Sequence, residues 1–183
     1  ILLVRLNSER KKLKELQEAL KKRAPAPGTR QYYRLQDQIS DLKKERKQRH
    51  QRIIEAFEEE FRFSAYAFFY DYQTDSVLGR QWPEVSFRKP GQADAYQPDP
   101  EQPRYVLDLG SSYLKRENQR FSGMVVRDTS LMSLKEPFPA KYPNTKTFSF
   151  LDLDKNVAKM VRKLNAGLKE FYLDQKEPRS SAP

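Results

Sequence analysis

Two stripes of apolar residues at helical spacing run through the first 57 residues. The first consists of Leu6, Leu13, Leu16 and Leu20, and the second of Tyr32, Leu35, Ile39 and Leu42, continued after a polar gap by Ile53 and Phe57. This spacing predicts amphipathic helices. The helices are separated at 24–28, where two prolines disfavour helical backbone and a glycine permits a reversal.

We expect the two helices to form an antiparallel helical hairpin, packed as a coiled coil. A turn near Pro27 would place Leu20 opposite Leu35, Leu13 opposite Leu42, and Leu6 beside Arg49. Each stripe is only one or two side chains wide, and helices that bury so little surface are marginal in water by themselves. The hairpin is therefore expected to need support from the rest of the chain or from a partner.

Beyond Phe57 the pattern changes to short apolar runs that are typical of strands. Such runs occupy 61–70, 104–109, 121–127 and 147–150. A proline-rich loop lies at 88–103, and an amphipathic helix follows at 156–173. The sequence predicts an α+β or α/β fold, in which the N-terminal hairpin precedes a small sheet of three to five strands packed on the C-terminal helix.

Charge divides the chain at about the same place as the apolar pattern. Residues 1–52 contain 16 Lys or Arg and 6 Asp or Glu, whereas 53–183 contain 19 of each kind, so the whole net charge of +10 belongs to the first segment. We therefore divide the chain into a basic helical hairpin (1–57), a small α/β domain that includes the proline-rich loop (58–177), and a flexible tail (178–183).

Motifs for catalysis or cofactor binding are absent from the sequence. The chain has no cysteine, which excludes thiolate catalysis and cysteine-ligated metals, and its one histidine is His50. Neither a glycine-rich phosphate loop nor the serine-nucleophile motif GxSxG occurs. We predict a protein that is not an enzyme and uses no cofactor. His50 lies in a run of charged residues and is interpreted as a solvated surface residue.

Six aspartates lie near the ends of predicted strands: Asp71, Asp75, Asp108, Asp128, Asp152 and Asp154. Carboxylates from separate strands can converge on Mg²⁺ or Ca²⁺, which is the basis of a third functional hypothesis, a metal-dependent enzyme. No fixed spacing motif accompanies them, and aspartate commonly accepts hydrogen bonds from backbone N–H groups in turns and helix caps. We favour these turn and cap roles and predict no metal site.

The basic hairpin is the strongest functional feature of the sequence. Its apolar stripe is interrupted across 43–50, where helix packing does not explain which side chains are present. We predict that a partner binds there, through Lys43, Lys44, Arg46, Lys47 and Arg49. The positive charge favours an acidic protein surface or a larger protein complex, with anionic lipid headgroups as a further alternative. A simpler alternative is that these charges only keep a coiled coil in solution.

The leading functional hypothesis is a non-enzymatic interaction protein, an accessory subunit of a larger bacterial assembly in the cell envelope. A nucleic-acid-binding module is the alternative, but the aromatic residues that would stack on bases lie outside the basic segment. No apolar run approaches the roughly 20 residues of a membrane helix, so we predict no transmembrane segment. The opening Ile1-Leu2-Leu3-Val4 is expected either from removal of a signal peptide or from a trimmed sequence.

Three short segments resemble uncharacterised exported α/β proteins of Gram-negative bacteria. They are FSGMVVRD at 121–128, EPFP at 136–139 and VRKLN at 161–165. The resemblance implies a location in the bacterial cell envelope or periplasm, with the cytoplasm as the alternative, and it assigns no functional residue. The order of elements also permits a thioredoxin-like sheet without the redox dithiol of that family, a likeness that would concern the fold alone.

Overall fold

The computed structural model describes residues 1–22, 27–79, 85–92, 96–99, 101–114, 118–143 and 150–176, without the side chains at 111–114, 119, 150–155, 175 and 176. Its strands are β1 (Leu2–Leu6), β2 (Tyr66–Tyr70), β3 (Phe87–Arg88), β4 (Tyr105–Leu114), β5 (Gln119–Arg127) and β6 (Lys141–Pro143). Its helices are α1 (Arg10–Lys22), α2 (Arg30–Glu60), α3 (Thr74–Leu78) and α4 (Phe150–Lys176). A 3-10 turn (Asp71–Gln73) precedes α3.

The described strands form one mixed sheet in the order β3-β2-β1-β4-β5-β6. β1 runs parallel to both of its neighbours, with Leu3 opposite Ala67 of β2 on one side and Val106 of β4 on the other. β3 joins β2, β5 joins β4, and β6 joins β5 as antiparallel partners.

Both faces of the sheet are buried, and each face has its own apolar core. Val4 and Leu107 belong to the core beneath α2 and α4, which we call the first core. Leu3 and Val106 belong to the second core, which includes Val77 of α3. Because side chains alternate between the faces along a strand, β1 is buried on both sides. β1 is therefore a central strand of the sheet. We call the sheet, its two cores and the helices packed on them the body.

The prediction that Leu6 belongs to the first helix is wrong. Leu6 is the last residue of β1 and lies in the first core. A strand that is buried on both faces is a short apolar run, and periodicity alone does not distinguish such a run from a helix segment. The prediction of three to five strands is corrected to six among the described residues. β3 and β6 have two and three residues, which is too few for a recognisable pattern.

The predicted helical hairpin is confirmed in part: α1 and α2 pack on each other, but α1 begins only at Arg10, after β1, and α2 continues to Glu60. Leu13 of α1 packs with Ile39 and Leu42 of α2, as the predicted pairing of Leu13 with Leu42 requires. α2 begins after Thr29, whose side-chain oxygen accepts a hydrogen bond from the Tyr32 backbone N–H at 3.3 Å and so caps the helix. The apolar contact between the two helices is narrow, as the sequence predicts.

The second half of α2 leaves the hairpin and covers the sheet. Ile53 and Phe57 are buried in the first core, beside α4. The Phe57 ring centre lies 5.4 Å from that of Phe61 and 5.6 Å from that of Tyr66, and such aromatic pairs add to the stabilisation from burial. This cluster ties the end of the helix to β2. A single helix thus belongs to both the hairpin and the body.

The other predicted elements are present with shifted bounds. The strands predicted at 104–109 and 121–127 are β4 and β5, the strand predicted at 61–70 occupies only its second half as β2, and the C-terminal helix is α4. Residues 147–149 of the remaining predicted strand lie outside the described residues. Across the described part of the chain, no helix has the length and apolar character needed to cross a membrane.

Candidate docking surface at the base of the hairpin

A polar turn, Asn7-Ser8-Glu9, carries the chain from β1 into α1. Asn7 Oδ1 accepts the Glu9 backbone N–H at 3.0 Å, and Ser8 Oγ accepts the Arg10 backbone N–H at 3.4 Å. Glu9 has a φ of 54°, in the left-handed region that residues other than glycine rarely occupy. The turn lies at the carboxyl end of a parallel strand, which is the edge where open α/β sheets place their ligand sites.

Polar residues of α2 hold this turn from the side. Arg46 Nη1 donates a hydrogen bond to the Ser8 carbonyl oxygen at 2.8 Å, and Arg49 Nη1 lies 3.3 Å from Glu9 Oε1. Arg46 and Arg49 follow Leu42 by four and seven residues, so they lie on the same face of the helix. The stripe that the sequence shows as interrupted is therefore continuous. The stripe changes from apolar to polar side chains at Arg46 because this part of α2 packs against the polar turn at 7–9.

The structure divides the five basic residues predicted to bind a partner. Arg46 and Arg49 are half-buried and engaged within the chain. Lys43, Lys44 and Lys47 are exposed, and among the described residues they have no hydrogen-bond or ion-pair partner. Partner binding through these lysines stays a prediction.

His50 is buried, and the expectation that it is solvated is wrong. It is 7% exposed, and its Nε2 donates to the Asn7 carbonyl oxygen at 2.9 Å, since a carbonyl oxygen only accepts. Burial lowers the pKa of His50 most; Arg46 and Arg49 lower it further, whereas the bond to Asn7 and the charge of Asp71 oppose the shift. His50 is therefore neutral at neutral pH and joins α2 to the turn after β1.

Two tyrosines at the end of β2 stack outside His50. The Tyr70 ring centre lies 5.5 Å from those of His50 and Tyr72, and the two tyrosine planes differ by only 8°. The Arg10 guanidinium lies 4.4 Å from the Tyr72 ring centre, in a cation–π contact. Tyr70 is 37% exposed and Tyr72 is 52% exposed. His50, Tyr70, Tyr72 and Arg10, which we call the hairpin-base stack, run from the interior to the surface.

Of the aspartates considered as metal ligands, Asp71 and Asp128 accept backbone hydrogen bonds in turns, whereas the turn or cap role expected for Asp108 is wrong, because Asp108 lies within β4 and pairs with arginines. Asp71 Oδ1 accepts the backbone N–H groups of Ser8 at 3.1 Å and Tyr72 at 3.0 Å. Asp128 accepts two backbone N–H groups of its own turn. The side chains of Asp152 and Asp154 lie outside the described residues. Within the described residues, no group of three metal-ligating side chains is placed to hold an ion.

Asp108 lies at the centre of a buried ion cluster on the second face of the sheet. Arg127 Nε of β5 donates to Asp108 Oδ2 at 2.6 Å, and Arg127 Nη1 donates to the Leu131 carbonyl oxygen at 3.0 Å. Arg5 Nε of β1 lies 2.7 Å from Asp108 Oδ1, as an ion pair without the alignment of a hydrogen bond. Two guanidinium groups therefore neutralise one carboxylate and connect β1, β4 and β5.

An apolar cleft of about 320 Å³ lies at the opposite end of β1, near the end of α4. Its lining includes the aromatic side chains of Phe63, Tyr105, Phe138, Phe171 and Tyr172. Phe138 stacks on Tyr105 at 5.7 Å and meets Phe171 edge-on at 5.2 Å. These ring contacts pack the side chains that line the cleft against one another.

Sequence reasoning located the charge of the candidate surface and missed its aromatic part. Tyr70 and Tyr72 continue the alternation of a predicted strand, and that spacing is the signal that could have placed both rings on one side of the chain. No local pattern brings Arg10 or His50 next to them.

Comparisons with protein-family models, with curated proteins and with solved structures found no match.

Proposed function

We propose that this chain is a non-enzymatic interaction protein, an accessory subunit of a larger assembly, which docks on an acidic protein surface through its hairpin. The division of the basic stretch carries the proposal. Arg46 and Arg49 are used to attach the hairpin to the body, whereas Lys43, Lys44 and Lys47 have no partner among the described residues. Positive charge that folding does not use is free to attract a negatively charged surface.

The three lysines form one flank of α2. At 3.6 residues per turn, Lys43, Lys44 and Lys47 lie within about 100° of the helix circumference. Glu45 projects from the other side of the helix, and Asp41 lies about 60° from Lys44 around the helix, beside the edge of this group. The lysine flank, as we call these three residues, thus presents three like charges to one direction. Like charges that repel one another are better accommodated when a partner of opposite charge covers them.

A protein partner is favoured over nucleic acid by the hairpin-base stack. Aromatic side chains bind single-stranded nucleic acid by offering a free ring face to each base. The Tyr70 ring contacts His50 and Tyr72, and the Tyr72 ring contacts Tyr70 and the Arg10 guanidinium, so both rings already use part of their surface within the chain. Tyr70 and Tyr72 remain 37% and 52% exposed, and each carries a hydroxyl group. Partly exposed tyrosines suit the polar and aromatic contacts of a protein interface.

A non-enzymatic role is supported by how the candidate catalytic groups are used. His50 donates to a backbone carbonyl, Asp71 and Asp128 accept backbone N–H groups, and Asp108 is held between two arginines. General acid–base catalysis needs a side chain within hydrogen-bond reach of a substrate proton. Each of these groups instead makes its hydrogen bonds or ion pairs within the folded chain.

The proposed compartment is the bacterial cell envelope, and it rests on the resemblance of three short segments to exported proteins. Fractionation of the native host with an antibody against the chain tests this part separately. The chain is expected in the periplasmic or membrane-associated fraction. Recovery with cytoplasmic markers alone would contradict the location and leave the docking proposal to be judged on binding.

Binding to three chemically defined probes tests the docking proposal. The probes are fluorescein-labelled poly-L-glutamate, single-stranded oligo(dT), and vesicles of phosphatidylglycerol. The triple variant Lys43→Gln, Lys44→Gln, Lys47→Gln is expected to bind poly-L-glutamate about tenfold more weakly than the wild type at low salt, because three exposed charge pairs contribute about 0.5 kcal/mol each. High salt is expected to remove most of this difference.

A matched control separates the flank from net charge. Lys159, Lys163 and Lys169 are exposed on α4, and their replacement by Gln removes the same charge from the body. Poly-L-glutamate binding by this control is expected to stay within about twofold of the wild type. Equal losses in both triple variants would contradict a specific flank. Tighter binding of oligo(dT) or of vesicles than of poly-L-glutamate would establish one of the alternatives instead.

A further inference from the structure

The hairpin-base stack has an exposed guanidinium that folding does not neutralise. Arg10 lies over the Tyr72 ring, and among the described residues no carboxylate pairs with it. The nearby Asp71 directs Oδ1 to the backbone N–H groups of Ser8 and Tyr72. The charge of Arg10 is therefore available outside the chain, and the ring beneath it holds the guanidinium in place.

The stack adjoins the lysine flank. Tyr70 packs against His50, and His50 follows Lys47 by three residues and Lys43 by seven on the same helix. At 1.5 Å per residue, Lys43 lies about 10 Å from His50 along the helix axis. The lysines and the stack thus lie within one surface of a size that a single protein segment covers.

We propose that Arg10, Tyr70 and Tyr72 are the anchor with which the chain grips an acidic protein segment, while the lysine flank attracts that segment over a longer range. This inference rests on the proposed docking function and assigns its affinity to particular residues. Arginine and tyrosine are the residues in which binding energy most often concentrates at protein interfaces. A carboxylate of the partner pairs with the planar guanidinium in a two-pronged geometry that a lysine ammonium does not reproduce.

Preorganisation is the physical reason for expecting an anchor at this place. A flexible exposed arginine loses rotamer freedom when it binds, and that loss reduces affinity. Arg10 is already restrained by Tyr72, which is itself stacked on Tyr70 and supported by the buried His50. The restraint comes from the hairpin base, which is held by the bonds from Arg46 and His50 to the turn.

Substitutions that keep the charge test the anchor with poly-L-glutamate as the probe. Arg10→Lys preserves charge and removes the planar guanidinium, and it is expected to weaken binding at least threefold. Tyr72→Ala removes the ring beneath Arg10 and is expected to weaken binding about tenfold, the loss typical of an anchor residue. Arg34→Lys, at an exposed position near the start of α2, is the control and is expected to leave binding unchanged. Circular dichroism and thermal unfolding confirm that each variant is folded.

The outcomes separate this inference from the proposal on which it rests. If Arg10→Lys and Tyr72→Ala bind as the wild type does while the triple lysine variant binds weakly, the anchor is refuted and electrostatic docking stands. If none of the variants differs from the wild type, or the wild type does not bind the probe, both are refuted. If Tyr72→Ala unfolds, Tyr72→Phe together with Arg10→Lys decides, because Phe keeps the ring and should bind within about twofold of the wild type.

Discussion

The hairpin and the body differ in how much apolar surface they bury and in how much net charge they carry, although α2 belongs to both. The body buries two cores, one on each face of a sheet whose central strand is covered on both sides, and it carries no net charge beyond residue 52. The hairpin buries a single narrow cluster around Leu13, Ile39 and Leu42 and carries the whole net charge of +10 with its adjoining turns. The body therefore supplies stability, and the hairpin presents charge.

The apolar packing of α2 is replaced by polar contacts at the hairpin base, that is, where Arg46, Arg49 and His50 meet the turn at 7–9. Before these residues, α2 packs on α1 through leucine and isoleucine, and after them α2 packs on the sheet through Ile53 and Phe57. Between these lie Arg46, Arg49 and His50, which contact the turn after β1. A hairpin attached through hydrogen bonds has a defined direction, because such bonds depend on geometry in a way that apolar contact does not.

Loss of β1 is expected to lower the stability of the protein more than any other change considered below. Deletion of residues 1–6 removes the central strand, including the fully buried Leu3 and Val4, and separates β2 from β4. We expect no cooperative thermal transition in this variant. For the same reason a fragment of 53–177 is not expected to fold, although the domain boundary predicted from the sequence implies that it would.

A deletion in the hairpin is the counterpart of this experiment. Removal of 14–20 from α1 together with 35–41 from α2 takes away fourteen residues, yet it leaves Leu13 opposite Leu42 and both cores of the body complete. A cooperative transition is expected to remain. Its loss would show that the hairpin is part of the stability of the body, and the division of labour would be wrong.

A matched pair of leucine substitutions gives the next largest effect. Leu107 is fully buried in the first core, whereas Leu42 lies in the narrow contact of the hairpin. Leu107→Ala is expected to lower the free energy of unfolding by about 4 kcal/mol and Leu42→Ala by about 2 kcal/mol, because a confined site collapses less around a cavity. Urea denaturation of both variants measures the difference, and equal losses would mean that the hairpin packs as tightly as the body.

The fold could be predicted from the sequence wherever its elements are long and packed on one face. α1, α2, α4, β4 and β5 show their periodicity or strand composition directly. β1 could not be found in this way, because its burial on two faces removes alternation and its last residue happens to continue the leucine spacing of α1. The pairing of β1 with β2 and β4 is a long-range choice that no local pattern records.

For the candidate site, the sequence predicts where the positive charge lies but not which of the charged side chains are free to bind a partner. The sequence locates the basic stretch, yet it cannot separate Arg46 and Arg49 from the neighbouring lysines, because their roles depend on the turn at 7–9 that β1 brings beside α2. His50 is a similar case. Its charged neighbours in the sequence suggest a solvated side chain, whereas the helix turns it towards the turn and towards Tyr70.

The pH dependence of stability tests the polar base of the hairpin, with an effect smaller than that of either leucine substitution. Burial lowers the pKa of His50 below its ordinary value of 6.5, so between the two values the unfolded chain binds a proton that the folded chain does not. The contribution of His50 to the free energy of unfolding is therefore expected to be constant above about pH 6.5 and to fall as the pH drops below it. Urea denaturation from about pH 7.5 to about pH 5 measures this slope.

His50→Gln is the control for the pH experiment. Gln keeps a side-chain N–H donor and does not titrate, so this variant should be less sensitive to pH over the same range even if its stability is lower throughout. An identical slope in the wild type and in His50→Gln would show that His50 is not responsible. The pH dependence would then have to come from groups other than His50, such as the buried α-amino group of Ile1, whose pKa is also lowered by burial.

The smallest expected effects on stability come from substitution of four of the basic residues, Arg46 and the three residues of the lysine flank. Arg46→Gln removes a hydrogen bond to the Ser8 carbonyl oxygen at a half-buried position and is expected to lower the free energy of unfolding by about 1 kcal/mol. The triple lysine variant is expected to change it by less than about 0.5 kcal/mol, because its side chains are exposed and Gln is about as good a helix former as Lys. Thermal and urea unfolding of the two variants side by side measure this contrast. If the lysines mattered for folding as much as Arg46 does, their charge would be part of the structure, and a loss of partner binding in the triple variant would have to be attributed to a damaged hairpin instead of a missing contact.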